Sequence, residues 1–384
     1  MKKVRLGIIG VGSMGAAHAR AILKGEVPEC ELTALCDPAI QNFTDAPDIW
    51  RFKDYKELLS SGFVDAVLIA TPHYDHTTIG IAALNAGLHV LVEKPISVHK
   101  ADCERLIAAH KNPKQVFAAM FNQRTDPHYT KVKQMIESGE LGTIRRINWI
   151  ITNWFRSEMY YASGGWRATW AGEGGGVLLN QCPHNLDLFQ WMFGMPDEVR
   201  AFCQIGRYHH IEVEDDVTAY MQYKNGCTAV FVTSTGEAPG TNRLEIVGEK
   251  GRLVVGEGKL EYLRNEEEMS AFSKKTQERF SKPEAWEVTI PIAGGHGPQH
   301  LGIMKNFCRA ILKGEKLIAP ASEGIHSVEL ANAMLYSSFT KETVQMPLNA
   351  KKYEALLKKK ISSSTFKKKV VKKLSNDDFS KSFR

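Results

Sequence analysis

A lysine at the end of an apolar segment is the first residue that could act on a bound hydroxyl group. Lys94 follows the apolar run Val90-Leu91-Val92 in the stretch AGLHVLVEKP. The run predicts a buried strand, and in an open parallel sheet ligands bind beyond the carboxyl ends of the strands. A fixed positive charge at that place would stabilise an alkoxide as it develops. The alternative is a Lys-Pro turn at the surface.

A histidine in a glycine-led stretch is the second candidate. His184 lies in GGGVLLNQCPHNLD, and Asn180, His184 and Asp187 are spaced at i, i+4 and i+7, which predicts one face of a helix. The three glycines predict a close approach of the start of that helix to a neighbour. Histidine suits proton transfer because its ordinary pKa lies near neutral pH. The alternative is that this histidine is structural, as a lone histidine on an amphipathic helix more often is.

A glycine-rich turn near the N-terminus predicts a dinucleotide site. The sequence GVGSMG, residues 10–15, lies between an apolar strand pattern and a helix pattern, which is the context that the GxGxxG fingerprint requires. Gly10 permits the tight turn, Gly12 lets the backbone approach a pyrophosphate, and Gly15 allows the helix to pack closely on the strand. The phosphates would lie at the N-terminus of the helix.

An acidic residue ends the second predicted strand, about 20 residues after the fingerprint. A carboxylate at Asp37 would hydrogen-bond the ribose diol of NAD and repel the 2′-phosphate of NADP. The alternative is that Asp37 and Pro38 only open a turn. NAD⁺ would accept hydride from a substrate carbinol. Arg167, after Trp166 in a glycine-rich loop, could pack on or bond the nicotinamide side of the cleft, and its alternative is a surface ion pair.

The order of strand and helix patterns predicts two domains and a tail. The 384 residues are enough for two cores. Patterns alternate between strand and helix over 1–124, which predicts a doubly wound parallel sheet of the α/β class. Over 125–350 strands dominate, and Asn225-Gly226 predicts a hairpin. The second domain is therefore expected to be α+β, with a mostly antiparallel open sheet closed by helices near 299–312 and 323–340.

The C-terminal residues 351–384 hold the excess of positive charge. The chain carries a net charge of +6, and this segment holds twelve Lys and Arg against three Asp and Glu. We expect a disordered tail, at least from Ser362, because the segment is rich in lysine and serine and poor in apolar residues. The charge does not indicate a nucleic-acid-binding face on the folded part.

Cysteine usage and hydropathy predict a cytoplasmic protein. The seven cysteines show neither a CxxC pair nor a Cys/His spacing typical of metal sites, so reduced thiols and no metal are expected. The basic, apolar start is interrupted by glycines and leads into the nucleotide pattern, which argues against export. No apolar run approaches the roughly 20 residues of a membrane span.

The predicted antiparallel sheet has one face that its own helices would leave uncovered. A partner subunit commonly covers such a face, which predicts a homo-oligomer. The alternative is a solvated face.

Together these stretches resemble the Gfo/Idh/MocA family of sugar and cyclitol oxidoreductases, over roughly residues 4–345. GIIGVGSMGAAHA is similar to the opening of the family pattern, ATPHYDHTTIGIAALNAGLHVLVEKP to its middle, and GGGVLLNQCPHNLDL to its catalytic helix. The resemblance implies a Rossmann domain, an open-sheet substrate domain, and dimers or tetramers. It implies that Lys94 and His184 are catalytic. It also implies cofactor contacts from Gly10, Gly12, Ser13, Met14, Asp37, Thr71, Pro72, His76, Glu93, Lys94, Asn122 and Arg167.

Asn180 departs from the family pattern, because many members carry Asp there. A carboxylate would raise the pKa of His184, whereas a neutral amide can only orient a substrate hydroxyl or the imidazole. Some amino-sugar oxidases of the family also look like Asn-Gln-x-x-His, so Asn180 is retained as a catalytic candidate. Asp187 is then expected to support the residues that contact the substrate, or to be structural. The stretches NQCPHNLDLFQW and STGEAPGTNRLEI resemble a subgroup that acts on intact glycosides at a ring hydroxyl, with C3 as the candidate.

Three functions follow from these residues. The first is an NAD-dependent dehydrogenase of a carbohydrate substrate: a pyranose, glycoside or cyclitol. The second is a redox hydrolase, in which oxidation at C3 reduces the cofactor and acidifies the C2 proton, the glycosidic bond eliminates, and the cofactor is re-oxidised internally when it returns the hydride to C3. That reaction needs a further acid or base, for which the candidates are Tyr160, Tyr161, His209 and His210. The third is a non-catalytic NAD-dependent sensor, which need not keep both Lys94 and His184.

Overall fold

A six-stranded parallel sheet forms the first half of the chain. The computed structural model describes residues 2–46, 48–292, 294–368 and 370–371. The strand order is β3-β2-β1-β4-β5-β6, with every neighbouring pair parallel, which is the Rossmann order. The elements are β1 (Val4–Ile9), α1 (Ser13–Leu23), β2 (Cys30–Cys36), β3 (Trp50–Phe52), α2 (Tyr55–Ser60), β4 (Ala66–Ile69), α3 (His73–Asn85), β5 (His89–Val92), α4 (Lys100–Ala109) and β6 (Phe117–Ala119).

A nine-stranded sheet forms the second half. Its order is β14-β13-β12-β11-β7-β10-β9-β8-β15, and its pairs are antiparallel except β7 with β10. The predicted fold class is confirmed. The elements are α5 (Pro127–Glu137), β7 (Ile144–Ile151), α6 (Glu158–Ala162), α7 (Pro183–Phe193), β8 (Glu198–Ile205), β9 (Glu214–Gln222), β10 (Thr228–Ser234), β11 (Asn242–Gly248), β12 (Gly251–Gly256), β13 (Lys259–Asn265), α8 (Met269–Lys275), β14 (Ala285–Val288), α9 (Gln299–Lys313), α10 (Gly324–Thr340), β15 (Val344–Gln345) and α11 (Ala350–Ser362).

Local sequence explains where several helices begin. Asp54 accepts a hydrogen bond from the N–H of Lys56 at the start of α2, and Asp126 caps α5, whose first residue is a proline. The predicted hairpin forms between β9 and β10, with Gly226 at φ +86°. Helix α4 begins at Lys100, after His99, whose side chain accepts a hydrogen bond from the N–H of Asp102.

Helix α9 packs against the first sheet although it comes late in the chain. Ile303, Met304 and Phe307 are each at most 2% exposed and belong to the core of the parallel sheet. The N–H of Ala119 in β6 donates to the carbonyl of Ala319, just beyond that helix. The domain boundaries at residues 124 and 350 therefore stay a prediction. The core of the parallel sheet contains residues from before and from after residue 124.

One face of the large sheet is covered and the other is open. Trp149 and Phe231 are buried on the inner face, beneath Phe189 of α7. The register places Phe202 of β8 and Tyr220 of β9 on the opposite, exposed sheet face, where they are 58% and 45% exposed. This is the uncovered face that the sequence predicts.

The expected disordered tail begins as a helix, so the prediction is wrong for α11. Asn349 caps this helix, and Tyr353 and Leu357, four residues apart, are buried. That apolar spacing outweighs the lysine content. The prediction is also wrong for residues 363–368, 370 and 371, which contact the loop after β8 and the loop that carries α6. Residues 372–384, to which the prediction also applies, lie outside the described residues. None of the helices in the described part has the length and hydropathy that a membrane span requires.

Candidate functional site

Lys94 lies beyond the carboxyl end of β5 and reaches the second half of the chain. Its Nζ donates to the main-chain carbonyl of Asn180 at 2.8 Å. The pKa of this ammonium is lowered to about 8, mainly by burial, which Glu93 opposes and the nearby Arg167 reinforces. Lys94 is therefore a cation at neutral pH that loses its charge in mildly alkaline solution. It does not form the surface turn of the alternative interpretation.

His184 lies in the first turn of α7 and is 5% exposed. Its Nδ1 is buried and finds no hydrogen-bond partner among the described residues. Burial lowers the pKa of His184 well below its ordinary value, and the positive charge of Lys94 acts in the same direction. The imidazole is therefore neutral at pH 7, the state in which it can accept a proton.

Asn180 does not share a helix face with His184, which corrects the sequence prediction. Helix α7 begins only at Pro183, and Asn180 lies in the turn before it. A proline at the first helical position lacks the N–H that a preceding turn of helix would need. The side chain of Asn180 is nonetheless in the site, since its Oδ1 lies 3.4 Å from the hydroxyl of Tyr160.

Glu173 is a buried carboxylate that the sequence analysis missed. It accepts hydrogen bonds from the side-chain amide of Asn180 and, at 2.6 Å, from the N–H of Ala168. Burial raises the pKa of Glu173, and Arg167, 3.9 Å away, opposes this. The signal in the sequence was an acidic residue inside the apolar, glycine-rich stretch AGEGGGVLL. Glu173 places a negative charge beside Asn180, where the family pattern often has Asp.

Replacing Glu173 with glutamine should move the alkaline limit of activity to lower pH. Glu173 raises the pKa of Lys94, so its loss makes the ammonium lose its proton earlier. Glutamine also has one side-chain oxygen to accept from the two donors, the amide of Asn180 and the N–H of Ala168. The lost hydrogen bond should lower the free energy of unfolding by about 1–3 kcal/mol. The pH dependence of kcat/KM and a denaturant titration measure both effects. Glu278→Gln is the control, because Glu278 is exposed. An unchanged alkaline limit would contradict this role.

Tyr160 connects the residues on the substrate side of the cleft. Its hydroxyl accepts from Arg167 Nη1 at 2.9 Å and from Gln181 Nε2 at 3.0 Å. Arg167 thus lies in the candidate site, and its ion pair, at 3.9 Å, is with the buried Glu173 rather than at the surface. The other three candidates for a further acid or base are held elsewhere: Tyr161 by Thr235, His209 by Asp215 and the carbonyl of Arg156, and His210 against Phe366.

The glycine turn has the geometry that the fingerprint predicts. Gly10 has φ +88°, and a Cβ on it would lie 2.7 Å from the backbone of Ala70. A Cβ on Gly15 would lie 1.8 Å from the carbonyl oxygen of Gly10, so helix and strand need glycine there. Gly12 has no atom within 4 Å of such a Cβ, which leaves open space where a pyrophosphate would lie.

Polar groups at the carboxyl edge of the parallel sheet fit a dinucleotide. The hydroxyl of Thr71 after β4 and Oδ1 of Asn122 after β6 are buried and find no hydrogen-bond partner within the described ranges. Ser13 opens α1, while Met14 follows it and Pro72 precedes α3. These residues could hold NAD by hydrogen bonds and packing along this edge.

Two of the implied cofactor residues, His76 and Glu93, also hold the edge itself together. The ring nitrogens of His76 lie 2.7 Å and 2.9 Å from the carbonyls of Pro95 and Thr71. Glu93 lies 2.8 Å from Nε2 of His18. Burial alone would raise the pKa of Glu93, but the contact with His18 outweighs it and the pKa falls to about 2. Both side chains thus fix the backbone around Lys94.

Asp187 forms a buried ion pair with Arg124. Its carboxylate accepts two hydrogen bonds of 2.7 Å from the guanidinium of Arg124, and both side chains are buried. This ion pair joins α7 to the end of the parallel-sheet half.

Asp37 lies between the glycine turn and the end of β2. Its two oxygens accept from the N–H of Val11 and of Ala39, each at 2.8 Å. The bond from Val11 places the carboxylate beside the glycine turn. The bond from Ala39 closes the turn that the alternative interpretation expects. The ribose contact stays a prediction.

Asp37→Ala should weaken the preference for NAD over NADP. The carboxylate repels a 2′-phosphate, so its removal should raise the ratio of NADP to NAD affinity by about 10-fold or more. Titrating both cofactors against the protein measures this. Asp54→Ala is a control, because it removes an exposed carboxylate that only caps α2. An unchanged ratio would leave Asp37 as a turn residue.

Known proteins resemble this chain over both halves. Residues 4–121 match a family model described as an oxidoreductase family with an NAD-binding Rossmann fold, and residues 129–254 match the GFO/IDH/MocA C-terminal domain. An inositol 2-dehydrogenase of Salmonella typhimurium is 35% identical over 145 residues, which is 36% of this chain but only 43% of that enzyme. A levoglucosan dehydrogenase of Pseudarthrobacter phenanthrenivorans is 24% identical over 398 residues, covering 90% of this chain and 99% of that enzyme.

A solved structure has the same architecture. The WlbA dehydrogenase of Bordetella pertussis, in complex with NADH and UDP-GlcNAcA, superposes with a TM-score of 0.76 at 25% identity, covering 91% of this chain and all of that one. The strand order, the glycine turn and the two matched domain models agree with one another. The chain belongs to the Gfo/Idh/MocA family of oxidoreductases.

Proposed function

We propose that this chain is an NAD-dependent dehydrogenase that oxidises a hydroxyl group of a sugar, glycoside or cyclitol. One observation carries this proposal. At the edge of the parallel sheet where a dinucleotide fits, Lys94 donates a hydrogen bond to the carbonyl of Asn180, in the turn that leads into the helix of His184. The substrate class is supported by the names of the relatives, an inositol and a levoglucosan dehydrogenase.

The side chains divide the work of oxidising a carbinol. NAD⁺, when bound, supplies the hydride acceptor. Neutral His184 takes the hydroxyl proton, and its desolvated ring is uncharged before it does so. The ammonium of Lys94 stabilises the negative charge that develops on the substrate oxygen. Glu173 fixes the amide group of Asn180, and the Oδ1 that faces Tyr160 keeps a second lone pair with which it accepts from a substrate hydroxyl.

A redox glycoside hydrolase is the second candidate, and Tyr160 is the observation that favours it. Oxidation at C3 would make the C2 proton acidic, and a further base would then have to remove it. Tyr160 is half-buried and lies beside Asn180, with the guanidinium of Arg167 on its oxygen. A sensor without catalysis is disfavoured, because Lys94 and His184 are both desolvated at the site.

One assay separates these functions. NAD⁺ is incubated with the full chain and a panel of free sugars, cyclitols and aryl glycosides, while reduced cofactor and released aglycone are followed together. Reduced cofactor that accumulates with a keto product would support the dehydrogenase. Release of aglycone without net reduction would support the hydrolase. Bound NAD⁺ with neither signal across the panel would contradict both.

The exposed sheet face supports a homo-oligomer. Ile150 of β7 lies on the same face as Phe202 and Tyr220, and the three side chains are 39–58% exposed. Covering them with a second copy would remove apolar surface from water. We include this assembly in the proposal, and light scattering of the full chain measures it.

A further inference from the structure

The C-terminal strap, residues 363–368, 370 and 371, follows α11 and lies across two loops beside the site. It contacts the loop after β8 and the loop that carries α6. Its contacts are Ser364 Oγ with the carboxylate of Glu212, the ring of Phe366 at 5.1 Å from the ring of His210, and the N–H of Val371 with the carbonyl of Ala162 at 3.1 Å. The strap thus binds the two loops together from outside.

Lys368 is the residue of the strap that holds the site loop most directly. Its half-buried ammonium donates to the carbonyl oxygens of Gly164 at 2.5 Å and of Arg167 at 2.7 Å. These carbonyls belong to one short turn, and the backbone is left-handed at both ends of it, with φ +80° at Gly164 and φ +59° at Ala168. A non-glycine residue in that region is conformationally unfavourable, so the turn depends on contacts that hold it.

The turn that Lys368 closes carries two side chains into the site. Trp166 packs edge-on against His73, with ring centroids 5.0 Å apart. Arg167 lies over the Trp166 ring and donates to Tyr160, and it is 3.9 Å from Glu173. If the turn were released, the guanidinium would lose its fixed position relative to Tyr160 and Glu173.

We propose that Lys368 is a positioning residue for the oxidation reaction and that the C-terminal strap is a structural part of the substrate side of the cleft. The ammonium bonds both carbonyls before any substrate arrives, so the conformational entropy of ordering the turn is already lost in the free protein. Without it, substrate binding would have to order the turn. The kinetic consequence rests on the proposed dehydrogenase function, while the ordering of the turn does not.

The test replaces Lys368 with methionine in the full chain. Lys367→Met is the matched control. Lys367 is exposed and precedes Lys368, so this substitution removes the same charge without removing a half-buried ammonium. With NAD⁺ and either levoglucosan or myo-inositol as probe, Lys368→Met should lower kcat/KM by about 10-fold, mainly through KM, with NAD⁺ affinity unchanged. Lys367→Met should stay within about twofold of the wild type, and Lys368→Arg, which keeps the donors, should restore most of the loss.

Hydrogen–deuterium exchange tests the ordering without a substrate. Amides of the peptide spanning 160–170 should exchange about 10-fold faster in Lys368→Met than in Lys367→Met. Equal exchange in the two variants would overturn the proposal. Faster exchange with unchanged KM in an active enzyme would overturn the positioning role. If the wild type turns over neither probe, the proposed function is in question, and the exchange result still decides whether the strap orders the turn.

Discussion

Replacing Lys94 with methionine should lower kcat/KM for sugar oxidation by about 10²-fold or more. Methionine keeps the length and the apolar stem of lysine but removes the charge that faces the developing alkoxide. In a buried site this charge acts through a low dielectric, so its loss costs far more than at the surface. The fold should persist, because within the described residues the ammonium makes one hydrogen bond, to the carbonyl of Asn180.

The pH dependence of activity tests the role of the Lys94 charge directly. Burial holds the pKa of Lys94 at about 8, below its ordinary value, so the cation is present at neutral pH and is lost as pH rises through about 8. Activity of the wild type should therefore fall on the alkaline side of pH 8, and Lys94→Met should lack that limb. Lys53→Met is the control for removing an exposed charge. A variant with full activity, or with the alkaline limb intact, would contradict the assignment.

Replacing His184 with asparagine should also lower turnover by about 10²-fold or more, for a different reason. Asparagine keeps a polar side chain of similar reach but cannot take a proton from the substrate hydroxyl. Because burial and Lys94 lower the pKa of His184 well below its ordinary value, the imidazole gains a proton only in acid. Wild-type activity should thus persist below the pH at which an ordinary histidine becomes charged, and it should fall as the pH decreases further.

Steady-state kinetics over the acid range, with NAD⁺ affinity measured in parallel, tests this role. The variant should keep NAD⁺ affinity and lose the acid limb of the wild-type profile. His110→Asn is the control, since His110 contacts the carbonyl of Gln115 at the amino end of β6, across the sheet from the site. If His184→Asn kept full turnover, another group would have to accept the proton.

Local rules predicted the dinucleotide side of the site from sequence. The turn at Gly10 and the strand before Lys94 are each determined by residues within a few positions, and ligand binding at strand ends follows from the topology of a parallel sheet. The hairpin at Asn225-Gly226 was predictable for the same reason. The position of Asn180 was not predictable in this way. Its spacing to His184 fits one helix face, but the helix begins at Pro183, three residues after Asn180.

The substrate side depended on contacts between distant residues. Glu173 reaches Asn180 across a glycine turn, and Lys368 reaches Gly164 and Arg167 across some 200 residues. No short pattern encodes such pairs. The lysine-rich composition predicted disorder where α11 forms. The lysines lie on the outer face of this helix, while Tyr353 and Leu357 are buried on the other.

The packing of α9 has a consequence for synthesis on the ribosome. The fingerprint, Asp37 and Lys94 all leave the ribosome early, but the core beneath them also needs Ile303 and Phe307. Each such buried apolar side chain contributes about 1.5–3 kcal/mol, a large share of the stability of a domain. Residues 1–124 alone therefore leave apolar surface exposed that α9 covers in the finished fold. We therefore expect tight binding of NAD⁺ only after α9 has been made and has packed on the parallel sheet.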